Sequence, residues 1–155
     1  MRATTNIAVD IGNSAIKLAI TTAETVHVNS LSLLESDWQI SAARWALTHS
    51  DEQQLAWHIA SVHPQAAKTL VDHLNTIFPA ANVKLITWRD VPMEPKVDEP
   101  DRLGIDRLIS AYAATLQSEP PLIVVDAGSA ITVDFVTADG KFQGGAILPG
   151  LGMQF

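Results

Sequence analysis

No cysteine occurs among the 155 residues, which excludes disulfides and thiolate chemistry and is compatible with a reducing cytoplasm. Lys and Arg nowhere cluster, and 10 of them stand against 17 Asp and Glu, for a formal net charge of −7. Such a surface repels phosphate backbones, so nucleic acid is a poor partner. No apolar run approaches the roughly 20 residues that a membrane span needs. Met1-Arg2-Ala3-Thr4-Thr5 leads straight into a β-type run rather than into an export signal. Three further chemistries lack their marks. His27, His49, His58, His63 and His73 show no metal-ligand spacing, Ser129 does not stand in a Gly-x-Ser-x-Gly elbow, and no Walker-type Gly-Lys-Ser/Thr occurs. A nucleoside triphosphate site would have to be of another architecture. The expectation is a soluble, acidic, cytoplasmic protein with no membrane partner.

What is present is globular in character, with 47% hydrophobic residues and a mean hydropathy of +0.15. Two acidic-glycine turns frame the chain: Asp10-Ile11-Gly12-Asn13-Ser14 and Asp126-Ala127-Gly128-Ser129. Each follows an apolar β-type run and opens another alternating run. A strand that ends in Asp, turns on Gly and returns as a hairpin presents backbone N–H groups and a hydroxyl at its tip. That is a phosphate cradle with a carboxylate beside it to hold a hydrated cation. Asp-x-Gly after a strand is also a common plain turn. Its repetition, with a hydroxyl residue after each Gly, favours phosphate binding and suggests two half-sites for one nucleotide.

Between the turns the pattern alternates strands and helices. Asn6–Asp10, Ala15–Thr21 and Val26–Leu33 read as strands, with a turn at Thr22-Ala23-Glu24. A helix follows over Ser36–His49, with Ser36 as its cap and Trp38, Ala42 and Trp45 facing the core. Leu55–Val62 is a strand, broken at His63-Pro64. Gln65–Ile77 is a helix with Ala67, Leu70, Val71, Leu74 and Ile77 on one face, and Val83–Thr87 a buried strand. Arg89–Arg102, with Pro92, Pro95 and Pro100, is a loop: either a lid or binding loop, or a plain connector. Gly104–Leu116 is helical, and a second β block follows with a turn at Ala138-Asp139-Gly140-Lys141. The expected organisation is α/β, with one domain over residues 1–118 and the opening of a similar one over 119–155. If the halves are related, the second is short by about one helical layer, and another chain would have to cover its sheet face.

A phosphate cradle binds but does not react. The best candidate for a general base is Asp106, in Leu103-Gly104-Ile105-Asp106-Arg107-Leu108 at a helix N-terminus. The helix dipole favours its ionised form, and an ionised Asp can accept the proton of an alcohol attacking a γ-phosphoryl group. Arg107 beside it can pair with an anion bidentately. The plainer reading, a capping Asp with a surface Arg, stays open on these residues alone.

Four motifs now stand in order. They are Asp10-Ile11-Gly12-Asn13-Ser14 with Lys17, Gly104-Ile105-Asp106-Arg107, Asp126 to Asp134, and Gly144-Gly145 through Pro149-Gly150. Together they resemble type III pantothenate kinase, of the acetate/sugar kinase–Hsp70–actin superfamily, over its N-terminal domain and the first strands of its C-terminal one. The resemblance implies a ribonuclease H-like, actin-like ATPase fold with a mixed sheet and flanking helices. It also implies transfer of the ATP γ-phosphate to pantothenate, the first step of coenzyme A synthesis. In those terms Asp10, Ile11, Gly12, Asn13, Ser14 and Lys17 form the first ATP loop, with Asp10 organising Mg²⁺, and Gly128 and Ser129 contact ATP from the second. Asp126 binds a monovalent cation, K⁺ or NH₄⁺. Gly104, Ile105, Asp106 and Arg107 contact pantothenate, with Asp106 as proton acceptor and Arg107 meeting the substrate or the dimer partner, and the family is dimeric. Ser14 and Ser129 replace the family's frequent Thr and keep the hydroxyl, whereas the tyrosine usual ahead of Gly-x-Asp-Arg is absent from Glu94–Arg102. Two other readings remain: a non-catalytic regulatory or accessory protein of the same fold, and a sugar kinase or phosphatase of the superfamily.

Overall fold

The computed structural model describes residues 4–22, 25–50 and 54–150. Part of the turn expected at Thr22-Ala23-Glu24 lies outside the described residues. The chain divides into two compact units, Met1–Leu85 and Ile86–Phe155.

The first unit is a five-stranded mixed sheet in the order β3-β2-β1-β4-β5. Strands β1 (Thr5–Ile11), β2 (Ala15–Thr21) and β3 (Val26–Ser32) form an antiparallel meander, while β4 (Leu55–Ser61) and β5 (Asn82–Leu85) run parallel to β1. Two helices make the parallel connections: α1 (Trp38–Thr48) joins β3 to β4, and α2 (Pro64–Ile77) joins β4 to β5. The period of two decides which face is buried. Ile7, Val9 and Ile11 pair across with Ile20, Leu18 and Ile16, and with Trp57 and Ile59 on β4, giving one apolar face. Alanines 42, 43, 46, 66 and 67 of the two helices, with Leu70 and Leu74, pack into the same core. The opposite face of β1 and β2 carries Asn6, Asp10 and Lys17, and His58 lies on that face of β4.

Local chemistry explains the helix starts. His63 Nδ1 accepts from Ala66 N at 3.2 Å, and Pro64, lacking an N–H, occupies the first helical position. The His63-Pro64 break is thus also the opening of α2. Helix α1 begins one residue later than Ser36 would have it: Asp37 holds the cap position and makes no side-chain cap bond. The strand expected to be buried at Val83–Thr87 is the exposed β5, because it is the last strand of its sheet.

The second unit is a three-stranded antiparallel sheet, β6 (Leu122–Ala127), β7 (Ala130–Val136) and β8 (Phe142–Pro149), with α3 (Ile105–Thr115) packed on one face. Leu108 and Ala111 of α3 meet Val136 and Phe142, with Leu122 and Val124 at the margin of the cluster. The other face presents Ile123, Val125 and Phe135, all exposed. Two short 3₁₀ turns, Trp88–Asp90 and Pro100–Arg102, punctuate the proline-rich segment. No helix among the described residues is long and apolar enough to cross a membrane.

Candidate functional site

The two acidic-glycine turns fold as the same device in different units. Asp10 is the penultimate residue of β1, and residues 12–14 link it to β2, closed by Gly12 N donating to Ala15 O at 3.0 Å. Asp126 is the penultimate residue of β6, and Gly128-Ser129 link it to β7, closed by Gly128 N donating to Ala130 O at 2.9 Å. Positive φ occurs only at Gly140 and Gly144 among the described residues, so neither Gly12 nor Gly128 is demanded by backbone conformation. Packing does not demand them either, since the nearest atom a Cβ would meet is Ala15 O at 3.5 Å or Ala130 O at 3.8 Å. A bare backbone at both tips leaves room for close approach by a ligand.

In the first unit, Lys17 pairs across the hairpin with Asp10. Its Nζ lies 3.7 Å from Asp10 Oδ2, with both side chains substantially solvated. Asn13 and Ser14 are exposed at the turn.

In the second unit, register places Asp126, Thr132 and Asp134 on the sheet face that α3 covers. Asp106 and Arg107 occupy the first turn of α3, both half-buried, and Arg107 N donates to Asp106 Oδ1 at 2.8 Å. The Arg107 side chain is not the surface cation of the plainer reading. Its Nε and Nη2 donate to the two carboxylate oxygens of Asp134, at 3.1 and 2.5 Å. Asp134 stands in the quoted motif, but its partner could not be read from it. The available signal was an acidic residue at an inward strand position, two residues before Val136.

The proline-rich segment is pinned rather than loose. Lys96 N donates to Phe142 O at 2.7 Å and Phe142 N to Glu94 O at 3.0 Å, while Asp101 accepts from Trp88 Nε1 at 2.8 Å and Arg89 Nη1 at 3.0 Å. Those two donors hold the Asp101 carboxyl below its ordinary range, Trp88 contributing most. The segment walls an open cleft of about 410 Å³, lined by Lys96, Val97, Arg102, Leu103, Arg107 and Gly144 among others. Lys96 and Arg102 are paired with Glu94 and Glu99 by solvated contacts. Solvated pairs of this kind are weak and exchange partners readily.

No group of three or more His, Asp or Glu suited to hold a metal by itself occurs among the described residues. The donor chemistry still fits a nucleotide-borne cation, because Mg²⁺ is commonly held by one or two carboxylates plus substrate phosphates. Asp10 offers such a carboxylate at a strand end, and Asp126 offers another.

A model of the type III pantothenate kinase family matches residues 6–155. A protein of that name from Rhodopirellula baltica is 40% identical over 96% of this chain and 63% of its own length. Another, from Chlorobaculum parvum, is 31% identical over 95% of this chain and 56% of its own. The chain therefore spans about three-fifths of the length of these relatives. Among solved structures, AlfA of the B. subtilis plasmid pLS32 aligns at TM-score 0.52 and 11% identity, covering 98% of this chain and 74% of its own. The ethanolamine utilization protein EutJ of Carboxydothermus hydrogenoformans aligns at 0.50 and 19% identity, covering 97% and 53%. These likenesses speak for the fold alone, which is the α/β, actin-like ATPase fold.

Proposed function

Because the chain belongs to the type III pantothenate kinase family, we propose that the protein transfers the γ-phosphoryl group of ATP to the primary hydroxyl of pantothenate. The product is 4'-phosphopantothenate, and the reaction is the first step of coenzyme A biosynthesis. The observation that carries the reading is Asp106, half-buried in the first turn of α3 with one carboxylate oxygen held by the Arg107 amide. Its other oxygen accepts the hydroxyl proton as the alcohol attacks phosphorus. Gly104, Ile105 and Arg107 line the acceptor side, with Arg107 on the wall of the cleft.

Phosphate is held by backbone and hydroxyl groups of Gly12, Asn13 and Ser14, and by Gly128 and Ser129, with Lys17 neutralising charge. Ile11, buried at the end of β1, anchors the first of these turns. Asp10 would hold Mg²⁺ through the nucleotide, and Asp126 a monovalent cation, K⁺ or NH₄⁺. When bound, these ions neutralise charge on the phosphate oxygens. The repeated strand–Asp–Gly hairpin supports two related domains, while the division into compact units falls after Leu85, ahead of the boundary expected near residue 118, and keeps α3 with the second sheet. We further propose a homodimer working in the cytoplasm, without nucleic-acid or membrane partners.

The test is pantothenate-dependent ADP release with Mg²⁺ and K⁺, in this chain and in a version extended to the relatives' length. Turnover that Asp106→Asn abolishes while ATP still binds supports the reading. ATP binding with no turnover in either form favours the accessory protein. Phosphorylation of sugars in preference to pantothenate favours the sugar kinase.

A further inference from the structure

Asp134 is the only charged side chain buried among the described residues, at 2% exposure. A carboxylate so placed persists only if it is paired and hydrogen-bonded. Arg107 supplies both, giving one donor to each oxygen. The same residue donates its backbone N–H to Asp106 Oδ1. A continuous path of bonds therefore runs from strand β7, through the guanidinium and its own amide, to the Asp106 carboxylate.

We propose that Asp134 is a positioning residue which, through Arg107, fixes the first turn of α3 and thereby the direction of the Asp106 carboxylate. This rests on the proposed role of Asp106. Holding the helix on the sheet does not need the ion pair, because Leu108 and Ala111 already pack against Val136 and Phe142. What apolar contacts cannot supply is rotational definition. A two-point fork between guanidinium and carboxylate fixes angle as well as distance. Its consequence for Arg107 is equally specific. With Nε and Nη2 engaged by Asp134, the guanidinium has only its outer edge left for a ligand, so it cannot grip an anion through the Nε side.

Asp134→Asn keeps the side-chain volume and removes the charge that holds the fork. Where turnover is measurable, kcat should fall about 10²-fold, the scale of a misplacement near 1 Å, with KM for ATP unchanged. In an Asp106→Asn background, which has no turnover left to lose, the same change should leave ATP affinity where it was. An unchanged kcat, or a loss of ATP binding in parallel with kcat, would overturn the proposal. A second readout needs no activity: the carboxyl ¹³C resonance of Asp106, assigned by its disappearance in Asp106→Asn. It should shift in Asp134→Asn while that of Asp10 stays in place. Should Asp134→Asn fail to fold, Arg107→Lys keeps the charge and loses the fork, and because Arg107 also lines the acceptor side it is read by the Asp106 carbon resonance alone. Absent phosphotransfer in the version extended to the relatives' length would defeat the kinase reading, while the carbon resonance still decides the positioning. An Asp106 resonance that does not move in the folded variant overturns it.

Discussion

A Cβ placed on Gly150 would lie 2.3 Å from the carbonyl oxygen of Ser129 and 2.5 Å from that of Gly128. The residue after β8 therefore packs its bare backbone directly on the tip of the β6–β7 hairpin. Both contacts are to backbone, which cannot swing aside as a side chain would. Gly150→Ala must displace the 128–129 turn. ATP affinity should fall about tenfold, or about 1.4 kcal/mol, beyond what any loss of Tm explains. Calorimetric titration of ATP into the folded variant measures this, and an unchanged Kd would remove the turn from the nucleotide site.

Gly12 and Gly145 make a contrasting pair. At Gly12 the backbone is ordinary and the nearest contact a mild 3.5 Å, whereas a Cβ on Gly145 would meet Val133 O at 1.8 Å. Gly12→Ala should leave the fold intact or stabilise it by about 0.4–1 kcal/mol, yet weaken ATP binding. Gly145→Ala should cost about 3 kcal/mol or more, since β7 and β8 must part. Denaturant titration with ATP binding separates the two. A Gly12→Ala protein that binds ATP normally would leave that glycine without a functional reason.

Lys17 tests charge against stability. Its contact with Asp10 is 3.7 Å and well solvated, so the pair contributes about 0–1 kcal/mol. Lys17→Met should barely move Tm while lowering ATP affinity several-fold, an effect that fades with added salt. A large fall in Tm with full ATP affinity would reverse that assignment.

The β7–β8 turn carries a pH signature. The hydrogen bond from Lys141, with one from the Thr137 hydroxyl, lowers the Asp139 carboxyl from 3.8 to about 2. A carboxyl depressed on folding contributes stability that is complete above its unfolded value and is lost as pH falls through the folded one. That window lies between about pH 4 and pH 2. Lys141 is raised for the same reason, chiefly by Asp139, so its share is lost only as pH climbs past its ordinary range. Asp139→Asn should therefore show a shallower fall of Tm with acid than the unsubstituted protein. The effect is small, because the pair is solvated and screened. Parallel acid profiles would show that the bond does not form in solution.

Local pattern determined most of the secondary structure. Alternation at Asn6–Asp10 and Ala15–Thr21, and helical spacing at Ala67, Leu70 and Leu74, leave a chain few ways to bury apolar side chains. The tight turns at Gly12 and Gly128 were equally legible from the Asp-x-Gly pattern, although neither glycine is required by its backbone conformation. Tertiary structure decided what depends on neighbours distant in sequence. The strand near Val83 reads as buried from its own residues, but its place at the end of the sheet exposes it. Arg107 reads as a surface cation or a substrate ligand until β7 brings Asp134 to it across 27 positions. Gly150 has no local reason to be glycine, and acquires one only when the strand end closes on Ser129. Periodicity and turn chemistry are local and survive in a string of letters; pairing partners and close backbone approach exist only once the sheet has formed.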